Sequence, residues 1–306
     1  MKISTFLSCS ALFLASLAVA APDDPNKIDT CTKPGVVAWT IDDGPGMYND
    51  QLLAIMAKKN VTATFFVLGT MIDQNAAQAG ALKKILTGGH QLASHTYSHG
   101  NLDNMTVDQM KKEMSTTSDT MFKHSGVRPR YMRAPEGRCG VECTKVMTDL
   151  GLVISHWNVD TNDWRFMNEK DPLKATEKSM VEINDVIINN SDPAKDSFIL
   201  LQHEIHKFSV EHLADRVIDS ILKKGYRFVS MEECVGQKAY LEGSVLPSTA
   251  GTSTTASATT ATMTTTATVT ATTTATASKE QNNAGAMAQV AAWTMGLTAA
   301  LGYALI

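Results

Sequence analysis

Between Pro34 and Cys234 the chain alternates short apolar runs with longer stretches whose apolar positions recur every three to four residues. The short runs predict strands at Val36–Ile41, Thr62–Val67, Gln91–Ala93, Tyr131–Arg133, Val153–Trp157, Ser197–Leu201 and Tyr226–Val229. The longer ones predict helices near 50–59, 75–86, 106–123, 143–150, 178–188 and 210–223, with Thr106 capping the third. A parallel sheet with crossover helices requires this alternation. We therefore expect an α/β fold built as a single distorted (β/α) barrel of about seven strands. An open parallel α/β sheet is the alternative, because periodicity does not distinguish closure from openness.

Polar residues gather where these strands end. The first strand runs into two adjacent carboxylates, Asp42 and Asp43, followed by Gly44-Pro45. Neighbouring side chains at a strand end point different ways, so the pair can divide its partners, one a metal and the other a water. Alone, such a pair is an ordinary turn, since Asp-Gly and Gly-Pro are common turn dipeptides. Partners are available, however. His95 and His99, Arg133, Asp160 and Asp163, and His203 each follow a predicted strand, which in a barrel brings them to one face. The i, i+4 spacing of His95 and His99 would put both imidazoles on one side of a helical turn. With Asp43 as third ligand they would hold a cation with open positions, acidic enough to activate water, while Asp42 takes the proton.

The two ends of the chain carry addresses rather than chemistry. Met1-Lys2 precedes an apolar run from Ile3 to Ala18, and Ala18-Val19-Ala20 offers the small residues of a cleavage site, so residues 1–20 read as a secretory signal peptide that removes Cys9. Residues 21–246 form the catalytic domain of this reading, and Thr, Ser and Ala dominate the stalk at 247–281. Residues 282–306 end on an apolar tail with no basic residue after it. That pattern fits a glycosylphosphatidylinositol signal attached at Asn283 or Asn282, hence a membrane partner through the lipid anchor. The expected location is the plasma membrane, facing the cell wall or transferred to it. Sequons at Asn60, Asn104 and Asn189 agree with a secretory route.

Composition fits this setting. Of 306 residues, 43% are hydrophobic and 19% charged, enough for one large domain, and a net charge of -4 gives no electrostatic case for nucleic acid. No protein partner is implied. Four cysteines remain after processing, and an even count in an oxidising compartment points to two disulfides, Cys31–Cys234 across the edges of the folded region and Cys139–Cys143 as a local staple. The first would close a loop of about 200 residues and add on the order of 5 kcal/mol in a chain-entropy account. A four-cysteine zinc site is the competing arrangement.

Five motifs in order complete the picture: Thr40 to Gly44, His95 to His99, Arg133 to Gly137, Asp160 to Trp164 and Leu201 to His203. Together they resemble the NodB-type polysaccharide deacetylases, carbohydrate esterase family four, and most closely the fungal chitin deacetylases. The resemblance spans about Pro34 to Val229 and implies a distorted barrel, a divalent metal, and hydrolysis of N-acetyl groups from N-acetylglucosamine polymers. It makes Asp42 the general base and Asp43, His95 and His99 the ligands of Zn2+, or of Co2+. It makes His203 the general acid, Arg133 the residue that tunes Asp42, and Asp163 the one that tunes His203. The Glu136 backbone N–H becomes an oxyanion donor, and Trp164 and Leu201 the wall that receives the acetyl methyl. Two positions depart from the family pattern: Glu136 stands where an aromatic residue is usual, and Ile41 where Phe is usual.

These features define the expectation: a secreted, lipid-anchored enzyme that converts wall chitin to chitosan and acetate. Another acetylated polysaccharide is the alternative substrate. Two histidines and a carboxylate also describe non-haem iron oxygenases, but that chemistry leaves Asp42 and His203 without roles. A chitin-binding wall protein without turnover is the third class.

Overall fold

The computed structural model describes residues 27–247. The expected signal peptide, the anchor signal with Asn282 and Asn283, and all but the first residue of the stalk lie outside the described residues.

The elements in chain order are β1 (Lys27–Ile28), β2 (Val36–Gly44), α1 (Asn49–Lys59), β3 (Thr64–Val67), α2 (Gly69–Asp73), α3 (Ala76–Thr87), β4 (Gln91–Ser94), α4 (Val107–Ser125), β5 (Tyr131–Met132), α5 (Val141–Asp149), β6 (Val153–Ser155), β7 (Val159–Asp160), α6 (Pro172–Glu182), β8 (Phe198–His203), α7 (Ala214–Lys224), β9 (Arg227–Val229) and α8 (Met231–Val235). The strands form one parallel sheet in the order β1-β6-β5-β4-β3-β2-β8-β7, and β9 pairs with the start of β2. Nine strands replace the seven expected from periodicity because β1 and β7 are added and the run 153–157 shortens to β6. Residues 156–158 cross from one side of the sheet to the other. Three residues reach only about 10 Å, so the sheet must curl until β6 and β7 are neighbours. The result is a curled half-barrel with helices outside.

Alternation along β2 divides the core. Val37, Trp39 and Ile41 pack outward among Leu52, Met56 and Ile218 of the helices, while Ala38 packs inward with Phe66, Ala93, Tyr131 and Ile199. Each fully buried large side chain stabilises the fold by roughly 1.5–3 kcal/mol. Thr40 and Asp42 continue the inward series toward the open end.

Local signals set the helices. Thr106 forms a capping box with Gln109 at the start of α4. Asp171 accepts from the N–H groups of Leu173 and Lys174, with Pro172 in the first turn, so α6 begins before the 178 expected from apolar spacing alone. Cys31–Cys234 and Cys139–Cys143 are both disulfides, which removes the four-cysteine zinc arrangement. Asn60, Asn104 and Asn189 are all exposed.

The last described residues run under the N-terminal ends of the strands. The N–H groups of Met231 and Glu232 donate to Thr64 at the start of β3 and to Gln91 at the start of β4. Tyr240 accepts from the Leu92 N–H, and Leu246 and Pro247 line a cleft with His90 and Gln91. Among the described residues no helix is long and apolar enough to cross a membrane.

Candidate active site

The C-terminal ends of the strands open on a cavity of about 510 Å³ lined by Asp42, Asp43, His95, His99, Glu136, Trp164, Leu201 and His203, with Ala134, Arg138, Trp157 and Asp160 between them. A regular strand would send Asp43 outward, opposite Asp42. Instead the β2–β3 register shifts between Asp42 and Gly44, and Asp43 takes φ +68°, so both carboxylates face the cavity. The histidines reach it differently from the helical turn that their spacing suggested. Residues 95–99 form no helix; Thr96 and His99 adopt φ +71° and +60°, and this left-handed loop turns both rings inward. Glu136 is left-handed too, at φ +55°. Four such non-glycine residues around one opening mark local strain held by the surrounding fold.

Asp43, His95 and His99 offer one ligand atom each, all within 4.8 Å of one another. Asp43 Oδ1 stands 3.4 Å from His95 Nε2 and 3.3 Å from His99 Nε2, and it is buried without a hydrogen bond. His95 Nδ1 lies 2.9 Å from the Arg133 carbonyl, which can only accept, so the ring proton belongs on Nδ1 and the Nε2 lone pair points at Asp43. Burial opposes charge on Asp43, but His95, His203 and His99 outweigh it and hold this carboxyl well below the usual range. Burial likewise opposes charge on His95, and Asp42 and Asp43 outweigh it upward. The cluster thus asks for positive charge at its centre. Its one hard oxygen and two imidazole nitrogens fit a divalent cation.

Two ion pairs flank the cluster. Asp42 Oδ1 accepts from Arg133 Nη1 at 2.8 Å, and Arg133, fully buried, also donates to Thr40, to both oxygens of Ser155 and to the His156 carbonyl. Its guanidinium lies 4.3 Å from the Phe66 ring centroid and 5.3 Å from that of Trp157. Opposite, His203 Nδ1 donates to Asp163 Oδ1 at 2.7 Å, and Asp163 also accepts from the N–H groups of His203 and Trp164 and from the Ser209 hydroxyl. Burial would lower the imidazolium's pKa, but the Asp163 carboxylate pushes His203 up to about 9. At neutral pH this ring is therefore a cation with its Nε2 proton available.

The remaining wall is partly apolar. Leu201 is buried at the base; Trp164 is 43% exposed, its Nε1 donating to Asp160. The Glu136 side chain points to the rim, 3.0 Å from Arg138 Nε, and the two N–H groups that close its turn belong to Gly137 and Arg138, not to Glu136. An aromatic surface missing at 136 is present beside it. Trp157 lines the cavity against Gly137, where a Cβ would come within 3.0 Å of the indole. Trp157 and Arg138 were not singled out from sequence; Trp157 ends a predicted strand, and that position was the available signal.

Similarity to known proteins agrees with this geometry. The polysaccharide deacetylase family matches residues 29–155. A chitin deacetylase of Colletotrichum lindemuthianum is 34% identical over 210 residues, covering 67% of this chain and 82% of that protein. The chain belongs to the polysaccharide deacetylase family. The peptidoglycan-N-acetylglucosamine deacetylase of Listeria monocytogenes is 32% identical over 203 residues, covering 66% of this chain but 39% of that protein. The solved structure of the chitin deacetylase from the fungal pathogen Colletotrichum lindemuthianum superposes with a TM-score of 0.66 at 32% identity, covering 70% of this chain and 95% of the other. Deacetylases of this family use a divalent metal, and the Asp43, His95 and His99 cluster is where this chain can hold one.

Proposed function

We propose that this deacetylase removes N-acetyl groups from the N-acetylglucosamine units of chitin, giving chitosan and acetate. One observation carries the reading: a three-ligand cluster lies between a carboxylate held by a buried cation and an imidazolium held by a buried carboxylate. Hydrolysing an amide needs both groups, since water must lose a proton and the departing amine must gain one.

A divalent cation at Asp43, His95 and His99, zinc first and cobalt second, would supply Lewis-acid charge to the acetyl group and to water. Asp42 Oδ2 takes the water's proton while Arg133 fixes the other oxygen. His203 delivers its Nε2 proton to the leaving nitrogen, and Asp163 steadies the imidazolium through Nδ1. The Glu136 backbone N–H donates to the acetyl oxygen as negative charge develops there. Trp164 and Leu201 receive the methyl group. The substrate is supported by the similarity to the Colletotrichum enzyme; two disulfides support a secreted setting, and the sequence pattern read as an anchor signal supports a location at the membrane, facing the wall.

The test is acetate release from chitin oligomers by protein stripped with chelator and resupplied with one metal at a time. Loss on stripping and return with zinc or cobalt is expected. A folded, metal-loaded protein that binds chitin without releasing acetate would overturn the reading in favour of a wall-binding protein. Release from peptidoglycan fragments but not chitin would move the substrate toward that of the Listeria relative.

A further inference from the structure

One fully buried acidic side chain has no part in the chemistry above. Glu204 directly follows His203 and is 0% exposed. The β2–β8 ladder ends at the pair Asp42 and His203, so beyond it no backbone hydrogen bonds join the two strands that carry base and acid. The Glu204 carboxylate occupies that gap. Oε1 accepts from the Gly46 N–H at 3.1 Å and Oε2 from the Asn49 side chain at 2.9 Å. Oε1 also lies against Gly44, where a Cβ would come within 1.9 Å of it. The side chain thus reaches across to the segment that leaves the left-handed Asp43 and enters α1.

We propose that Glu204 is a positioning residue that fixes the β2–α1 turn, and through it Asp43 and Asp42, against the strand carrying His203. This rests on the deacetylase reading. The side chain acts by reach and hydrogen bonding rather than by charge. Its partners are neutral, and burial with Asp50 nearby pushes the carboxyl up to about 7 against the lowering by Asn49 and Gly46. Asn49 Oδ1 is buried without a partner, so rotating that amide would let it accept from a neutral group at 204.

Two isolated changes separate reach from charge. E204Q keeps the length and loses the charge; E204D keeps the charge and is one methylene short. In E204D we expect kcat to fall about tenfold or more with KM within about threefold, and zinc affinity to weaken about tenfold, as for other residues that orient ligands. E204Q should stay within about threefold of wild type in all three. Wild-type values in E204D, or a loss in folded E204Q as large as in E204D, would overturn the proposal. If E204D does not fold, N49A, which removes one of the two bonds, should show the same pattern at smaller size; unchanged kcat and zinc affinity there would also overturn it. Zinc binding needs no substrate. A wild type that binds zinc but releases no acetate would therefore sink the deacetylase reading and leave the zinc arm to decide on Glu204.

Discussion

The two ion pairs of the site have opposite polarity. In one the proposed reacting group is a carboxylate and its buried partner a guanidinium; in the other the proposed reacting group is an imidazolium and its partner a carboxylate. The reacting groups are register neighbours on β2 and β8, while the partners arrive from elsewhere, Arg133 after β5 and Asp163 after β7. Arg133 makes five hydrogen bonds and stays charged at any working pH; Asp163 makes four and serves a ring that titrates. The partner on the Asp42 side is therefore fixed in charge, while the partner on the His203 side serves a ring that pH can discharge.

The harshest break is on the base side. D42N leaves Arg133 a neutral acceptor and removes the proton acceptor, so kcat should fall about 10³-fold with zinc affinity nearly unchanged; wild-type acetate release would remove Asp42 from its role. H203A should cost about 10²-fold on the amide. With an activated phenyl acetate, whose leaving group needs no proton, most of that loss should disappear. An equal loss on both substrates would mean that His203 does something other than donate a proton.

D163N sharpens the contrast through pH. A proton donor raised to about 9 stays active until pH passes about 9, so the wild-type alkaline limb should lie there. Without the Asp163 charge the limb should move down to the ordinary histidine value of about 6.5, lowering kcat roughly 30-fold at pH 8; an unmoved limb would detach Asp163 from His203. The same pair stabilises the fold fully below about pH 6.5 and loses that contribution as pH rises through about 9. Smallest are the outer contacts. T40V removes one of five Arg133 bonds and S209A one of four at Asp163, so each should cost less than about fivefold in kcat. A much larger loss in one would show which partner is less firmly held.

The strand and helix alternation from Pro34 to Cys234 was legible because burial on both faces of β2, β3 and β8 leaves continuous apolar runs. The convergence of strand-end residues followed from that alone. What stayed hidden depends on backbone conformation that residue identity does not encode. Asp43 reaches the cavity through a bulge, and His99 through a left-handed loop in place of a helical turn. β1 and β7 are two residues each, too short for any period. Trp157 lies on a crossing whose course depends on the curl of the whole sheet, and Glu204 gains its meaning from Asn49, 155 positions away.

The course of the last described residues bears on how the enzyme meets a solid. Residues 240–247 run beneath the N-terminal ends of the strands, while the cavity opens at their C-terminal ends. Pro247 therefore lies at the floor of the domain, on the side away from the mouth of the cavity. Traced back from Pro247, the chain donates from Val245 to Gly126 and from Leu241 to Arg128 before it reaches Cys234 and its link to Cys31. A pull applied at Pro247 would therefore load those contacts ahead of β5 first, then the crosslink, and only afterwards the strand ends that carry the cavity.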